Sequence, residues 1–370
     1  MDRRRFLALL AAAGVVAKAS ASGAETSPYE ALVAEQIRRL GHPGVAGGIV
    51  VGDRLVASRG WGYRHKMRGG AVDARTVFRI ASITKVFAGL ALLQLRDEGK
   101  LTLDDPLTKH LPEATALVYP KGETPPITLR HLVTHTSGLP RSVPNGVSEA
   151  SLLAHLKGLR LDKTPGEHAA YSNLAVGLVG PIVRRLSGMP ARDYLRARVF
   201  GPLGMDSVAW ERRDVDSKRI AWGHEKVKEG EKKDEVEPAD TEWRMGAAEL
   251  FGGAYASVED MAKLVALELS AWDATDVEST VLKRASLQES QTQAIRGQPE
   301  PQRYGVSWWL GDDPLGPMIW HSGATDEYSA SVVMLPRKKI GAIILSNFAD
   351  VATVEMVTKR MLRRAAVVGA

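Results

Sequence analysis

The sequence predicts an α+β fold: one antiparallel sheet assembled from both chain ends, flanked by helices, with a mostly helical domain inserted between them. Three observations lead there. Strand-like runs cluster after residue 44 and again after residue 304, while the stretch from about 83 to 245 reads as helical patches broken by Gly and Pro. No repeat of about 20 to 50 residues suggests a solenoid. The 370 residues, 44% hydrophobic and 25% charged, suffice for a large unstapled core. The expected division is 1–24 as an export signal, 25–82 with 246–370 as the sheet domain, and 83–245 as the inserted helical domain.

In chain order, residues 2–24 stand apart. Arg3, Arg4 and Arg5 precede an apolar run from Phe6 to Ala17, then small residues at Ala19, Ala21 and Ala24. That layout is an export signal with cleavage after one of the three alanines. Arg3-Arg4-Arg5-Phe6-Leu7 also resembles a twin-arginine signal. The run is too short to cross a bilayer, and without cysteine no lipid anchor is expected. The expected location is therefore outside the cytoplasm, in the periplasm.

Residues 30–40 carry Leu32, Val33 and Ile37 at helical spacing before Gly41-His42-Pro43. Val45–Val51 and Arg54–Gly60 read as two strands about Gly52-Asp53. Val86–Glu98 is apolar on nearly every side and stops at Gly99, as a buried helix would. Leu174–Leu186 reads similarly, with Gly188 as its stop. Strands return at Tyr304–Leu310, Met318–His321, Ser329–Leu335 and Ile340–Asn347, followed by a helix over Ala352–Arg364. Residues 224–244, crowded with Lys and Glu, read as a solvated loop.

Composition excludes several chemistries. Cysteine is absent, which removes disulfides, thiolate metal sites and cysteine nucleophiles. Half of the formal charge of +6 lies in the first 24 residues, and no basic stripe alternates with aromatics, so nucleic acid is not an expected partner. There is no Gly-x-Ser-x-Gly elbow, zinc-binding His-Glu-x-x-His, phosphate loop or dinucleotide turn. His131 and His135 lie four apart without a nearby carboxylate and read as packing residues rather than ligands.

Ser82-Ile83-Thr84-Lys85 remains, at the head of the buried helix. A serine is a weak nucleophile unless a neighbour takes its proton. Three residues along a helix set Lys85 one turn above Ser82 on one face, where burial would favour the neutral amine. Such a motif arises by chance in a chain of this size, so it gains weight only from company. Tyr171-Ser172-Asn173 opens another helix, and His321-Ser322-Gly323 ends a strand.

With these three motifs in this order, the sequence resembles the penicillin-recognising serine hydrolases related to class C β-lactamases, D-alanyl-D-alanine carboxypeptidases and certain esterases. Residues 129–139, Gly201-Pro202-Leu203-Gly204-Met205 and residues 250–257 agree, and the resemblance runs from about 30 to 360. It implies an exported hydrolase that forms an acyl-enzyme on Ser82, with Lys85 as proton acceptor and Tyr171 as proton shuttle. Asn173 would hold Lys85 and the substrate amide. His321, Ser322 and Gly323 would line the substrate edge, and the amides of Ser82 and Ala324 would form the oxyanion hole. The implied substrate is a small ester, amide, lactam or peptide, with no cofactor or metal. A carboxypeptidase, a β-lactamase and a penicillin sensor without turnover are the implied alternatives.

Departures from the family pattern refine the expectation. His321 stands where many relatives carry lysine, and Ala324 brings no hydroxyl. Tyr304-Gly305-Val306-Ser307-Trp308-Trp309 holds no arginine to grip a terminal carboxylate. A regular strand there would send Trp308 and Trp309 to opposite faces. Because a carboxylate would be desolvated without full compensation, short uncharged esters are the expected preferred substrates.

Overall fold

The computed structural model describes residues 31, 33–35, 41–120, 124–144, 146–224, 242–273, 279–292 and 303–368. The export signal, most of the helix read over 30–40 and the bulk of the 224–244 loop lie outside these residues.

The central sheet has seven strands: β1 (Gly44–Val51), β2 (Arg54–His65), β3 (Gly69–Ala71), β6 (Trp309–Asp313), β7 (Gly316–Ala324), β8 (Ser329–Leu335) and β9 (Ile340–Ser346). Their order is β3-β2-β1-β9-β8-β7-β6, and every pairing is antiparallel. The two chain ends meet at β1 and β9, in register from Val45↔Ser346 to Val51↔Ile340. A separate ribbon pairs β4 (Val77–Arg79) with β5 (Tyr255–Ser257).

Strands β8 and β9 are buried at every residue because both faces of the sheet are covered. One face packs on α5 (Val351–Val368), through Val354, Val357 and Met361 against Ile49, Val333 and Ile344. The other face meets α4 (Val258–Ser270), and α1 (Thr84–Asp97) belongs to the same main core. Helix α1 is buried without a break from Thr84 to Leu95, which explains why its sequence shows no polar stripe. Ser257 caps α4 by accepting from the Asp260 amide, while the Asp260 carboxylate accepts from the Ser257 amide.

Three sequence expectations change. Leu174–Leu186 is two helices, α2 (Asn173–Gly177) and α3 (Val179–Ser187), since Pro181 has no N–H to offer the Gly177 carbonyl. Gly188 ends α3 at a φ of 75°, as its residue type suggests. The stretch Tyr304–Trp308 is a tight loop, not a strand: Gly305 N–H donates to the Trp308 carbonyl and Ser307 has a φ of 65°. His224, at the start of the expected solvated loop, is buried.

Among the described residues no helix is long and apolar enough to cross a membrane.

Candidate active site

Ser82 sits in a short turn, Ala81–Ile83, that runs straight into α1. Ala81 takes a left-handed φ of 47°, a costly conformation for a residue with a Cβ, so the surroundings must impose it. Gly323 on β7 is one cause. A Cβ there would stand 2.2 Å from the Ile80 carbonyl oxygen and 3.0 Å from the Ser82 nitrogen, so only glycine lets the strand touch the turn. The Thr84 hydroxyl completes the brace, donating to the Ala81 carbonyl (2.6 Å) and accepting from the Ala254 amide (3.2 Å).

Lys85 is fully buried one turn along, with Nζ 3.1 Å from Ser82 Oγ and 2.5 Å from the Phe251 carbonyl oxygen. Burial pushes its pKa well below the ordinary lysine value, and the nearby Arg141 charge pushes it further the same way. A neutral amine has two hydrogens and a lone pair. It can therefore donate to Phe251 and accept the Ser82 proton.

Tyr171 lies just before α2, and its ring is close to two basic side chains, with Lys85 Nζ at 4.7 Å and Arg141 Cζ at 5.0 Å from the ring centre. Burial raises the phenol pKa, while a hydrogen bond to Ser82 and the Arg141 charge oppose that rise. His135 packs on the same ring at 4.1 Å and accepts from the Ser172 amide through Nδ1 (3.2 Å). Of the two tryptophans, Trp309 stacks on Tyr171 at 6.3 Å, whereas Trp308 is buried in the core.

Ser82 and Tyr171 face a cavity of about 430 Å³, with Lys85 buried behind them. One wall holds Ser82, Arg141, Tyr171 and Asn173; the other holds Ala324, Thr325 and Asp326, with Trp243, Met245, Phe251 and Gly252 completing the lining. A larger groove of about 760 Å³ lies beside α4, but its amine, Lys263, is bonded to the Gly204 carbonyl and no serine–base pair is seen among its lining residues. Chemistry rather than size selects the smaller cavity.

Ser82, Lys85 and Tyr171 thus come together as the motifs implied. Asn173 lines the cavity, but Lys85 is held by Ser82 and Phe251 instead, and the Asn173 Oδ1 is buried with no partner. Ser322 corrects the expectation that its hydroxyl lines the substrate edge: β7 alternation turns it to the α5 face, where it donates to Glu355 Oε2 at 2.6 Å. His321 is buried behind the cleft. Its Nδ1 bonds the Ser322 carbonyl (2.8 Å), which makes Nε2 the acceptor for the Tyr304 hydroxyl (2.9 Å). Burial holds its pKa down to about 3, so it is neutral at working pH. Ala324 reaches the cavity from the end of β7.

Sequence reasoning missed Arg141 and the Phe251 carbonyl. Arg141 lies two residues past the stretch whose resemblance was noted, 129–139. His135 lay inside it and was read as packing, and it does pack, on Tyr171 and Tyr304. Among the described residues no group of acidic or histidine side chains could hold a metal ion.

A family model described as Beta-lactamase matches residues 29–366. The chain belongs to the beta-lactamase family. Protein flp of Staphylococcus aureus (strain COL) is 27% identical over 323 residues, 85% of this chain and 62% of that protein, so the chain spans less than two thirds of such relatives. A beta-lactamase of Escherichia coli (strain K12) is 28% identical over 320 residues, 78% of this chain and 79% of its own length. Among solved structures, the octameric penicillin-binding protein homologue from Pyrococcus abyssi superimposes with a TM-score of 0.76 at 25% identity, over 92% of this chain and 77% of that one. A beta-lactamase from Sulfitobacter sp. EE-36 gives the same TM-score at 20% identity, over 92% and 97%, a likeness of fold alone.

Proposed function

We propose that this beta-lactamase-family protein is a serine hydrolase that cleaves a small ester, amide or lactam through an acyl-enzyme on Ser82. The observation that carries the reading is the fully buried Lys85 amine 3.1 Å from the Ser82 hydroxyl, where desolvation favours its neutral form. Lys85 takes the proton as Ser82 attacks the carbonyl carbon. The oxyanion forms against the amides of Ser82 and Ala324, each donor worth roughly 3 to 4 kcal/mol in hydrolases. Tyr171, bonded to Ser82, passes a proton to the leaving group and then helps activate the water that frees the enzyme. In this reading Asn173, a lining residue, holds the substrate amide.

The test is a panel of chromogenic esters, D-amino-acid amides and a cephalosporin on the mature protein, with fluorophosphonate labelling of wild type and Ser82→Ala. Burst kinetics and label on Ser82 support the reading; label on another serine overturns it. We also propose export by the twin-arginine route from the Arg3-Arg4-Arg5-Phe6-Leu7 segment. Unimpaired export of an Arg3→Lys, Arg4→Lys double variant would refute it.

A further inference from the structure

We propose that Arg141 is the specificity residue of this cleft and binds a carboxylate carried by the substrate of Ser82. The inference rests on the hydrolase reading above and deepens it. Arg141 lines the same cavity wall as Ser82, Tyr171 and Asn173, with its guanidinium carbon 5.0 Å from the centre of the Tyr171 ring. The backbone fixes it there: its carbonyl accepts from the Asn173 amide at 3.0 Å, and the preceding Pro140 carbonyl accepts from the Ser172 hydroxyl at 2.7 Å. Arg141 is thereby tied to the turn that presents Tyr171.

Among the described residues its side-chain donors have no hydrogen-bond partner. Arg130, Arg184, Arg185 and Arg192 each grip a carboxylate, whereas Arg141 pairs with none among the described residues. Five N–H donors in a planar fork, exposed beside the candidate nucleophile, match the geometry of a carboxylate. Asp326 also lines the cavity and forms no ion pair with Arg141, which leaves the guanidinium available to an anion carried by the substrate. Lys85 adds no competing charge while it is neutral. The sequence-level preference for uncharged esters assumed that no arginine reached the site; Arg141 removes that premise from a loop distant from the strand where the arginine was sought.

Two matched ester pairs test this in the mature protein. In the first, 4-nitrophenyl butyrate is compared with the 4-nitrophenyl monoester of glutaric acid, which adds a carboxylate to the acid half. In the second, phenyl butyrate is compared with 3-carboxyphenyl butyrate, which adds it to the alcohol half. The expected result is a roughly tenfold higher kcat/KM for the carboxylated member of one pair, as one charge-assisted contact allows. The pair that shows it identifies which half meets Arg141. In Arg141→Gln that ratio falls to near one, and Arg141→Lys keeps part of it. Each ratio is internal to a variant, so a general loss of activity cancels. A wild type that favours the uncharged member of both pairs, or a ratio unchanged in Arg141→Gln, overturns the proposal. Ser82→Ala tests the hydrolase reading separately: turnover that survives there sinks that reading, whatever Arg141 does to the ratio.

Discussion

The two walls of the cleft are built on different principles. The helical wall, with Ser82, Tyr171 and Arg141 at the cavity and Lys85 buried behind Ser82, acts through side chains, and burial sets the protonation preference of Lys85 and Tyr171. The β7 wall acts through shape and backbone. Gly323 supports the Ser82 turn by having no side chain, Ala324 borders the cavity, and the polar groups of His321 and Ser322 point elsewhere. Equal motif status in the sequence therefore conceals unequal roles, and substitutions on the two walls should fail in different ways.

The largest effect belongs to the helical wall. On the proposed mechanism Ser82→Ala removes the attacking oxygen, and Lys85→Met removes its proton acceptor while keeping a long apolar side chain in the same space. Each should lower kcat by at least about 10³-fold, and the double variant should be little worse than either, because the two act as one unit. Single-turnover rates on a chromogenic ester, with circular dichroism to establish folding, decide this. Additive losses would mean that Lys85 does not serve Ser82.

On the β7 wall the corresponding break is steric. In Gly323→Ala the new methyl would sit 2.2 Å from the Ile80 carbonyl oxygen, too close for either strand or turn to remain in place. A displacement of about 1 Å at Ser82 is expected to cost on the order of 10²-fold in kcat, together with about 1 to 3 kcal/mol of stability from the overpacked contact. A variant with wild-type kcat would show that β7 does not set the position of the turn.

This contrast also marks what the sequence could tell. The antiparallel sheet from both ends was legible because β1, β8 and β9 are short apolar runs bounded by turns, and α1 because apolar residues cover it on all sides. Ser82 and Lys85 were legible because their spacing is local: one helical turn joins them. Arg141 was not, since its meeting with Tyr171 depends on two loops brought together by the Asn173–Arg141 backbone bond. The direction of Ser322 was a matter of strand parity. The sequence places His321-Ser322-Gly323 on a strand but does not say which parity faces the cleft. The Tyr304–Trp308 loop misled for another reason: a run rich in aromatics and valine reads as a strand, and only the left-handed Ser307 reveals the turn.

A smaller, pH-dependent effect separates charge from shape. Arg141 lowers the Lys85 pKa, so removing it lets that pKa rise toward the ordinary lysine value. At any given pH less of the amine is then neutral. The acid limb of the kcat/KM profile on an uncharged ester should move to higher pH in Arg141→Gln, and the loss should be greatest at low pH and shrink as pH rises. The other groups facing Lys85 and Tyr171 do not mask this shift. His135 and His321 are both pushed down by burial and remain neutral, and burial drives Tyr304 up so that it stays protonated. High salt in the wild type should move the limb the same way by screening the exposed guanidinium. A limb that stays fixed in both experiments would show that Arg141 has no hold on the base.

The smallest effect is expected at Ser322, where a motif-based reading would expect a large one. Its hydroxyl donates to Glu355 Oε2 at 2.6 Å on the α5 face, and Lys359 already holds the other oxygen of that carboxylate at 2.6 Å. Ser322→Ala therefore breaks one charge-assisted bond and leaves Glu355 partnered. The loss of stability should be about 1 kcal/mol, toward the low end for bonds to charged groups, because Glu355 retains its ion pair and some access to water. The backbone of β7 and its contact with the Ser82 turn do not depend on that hydroxyl. Activity should accordingly stay within about twofold of wild type on both members of an uncharged and carboxylated ester pair. A urea midpoint that falls while kcat/KM holds is the expected signature. If kcat/KM instead dropped on the carboxylated ester alone, Ser322 would have to turn toward the cleft when substrate binds, and the division of labour between the two walls would be wrong.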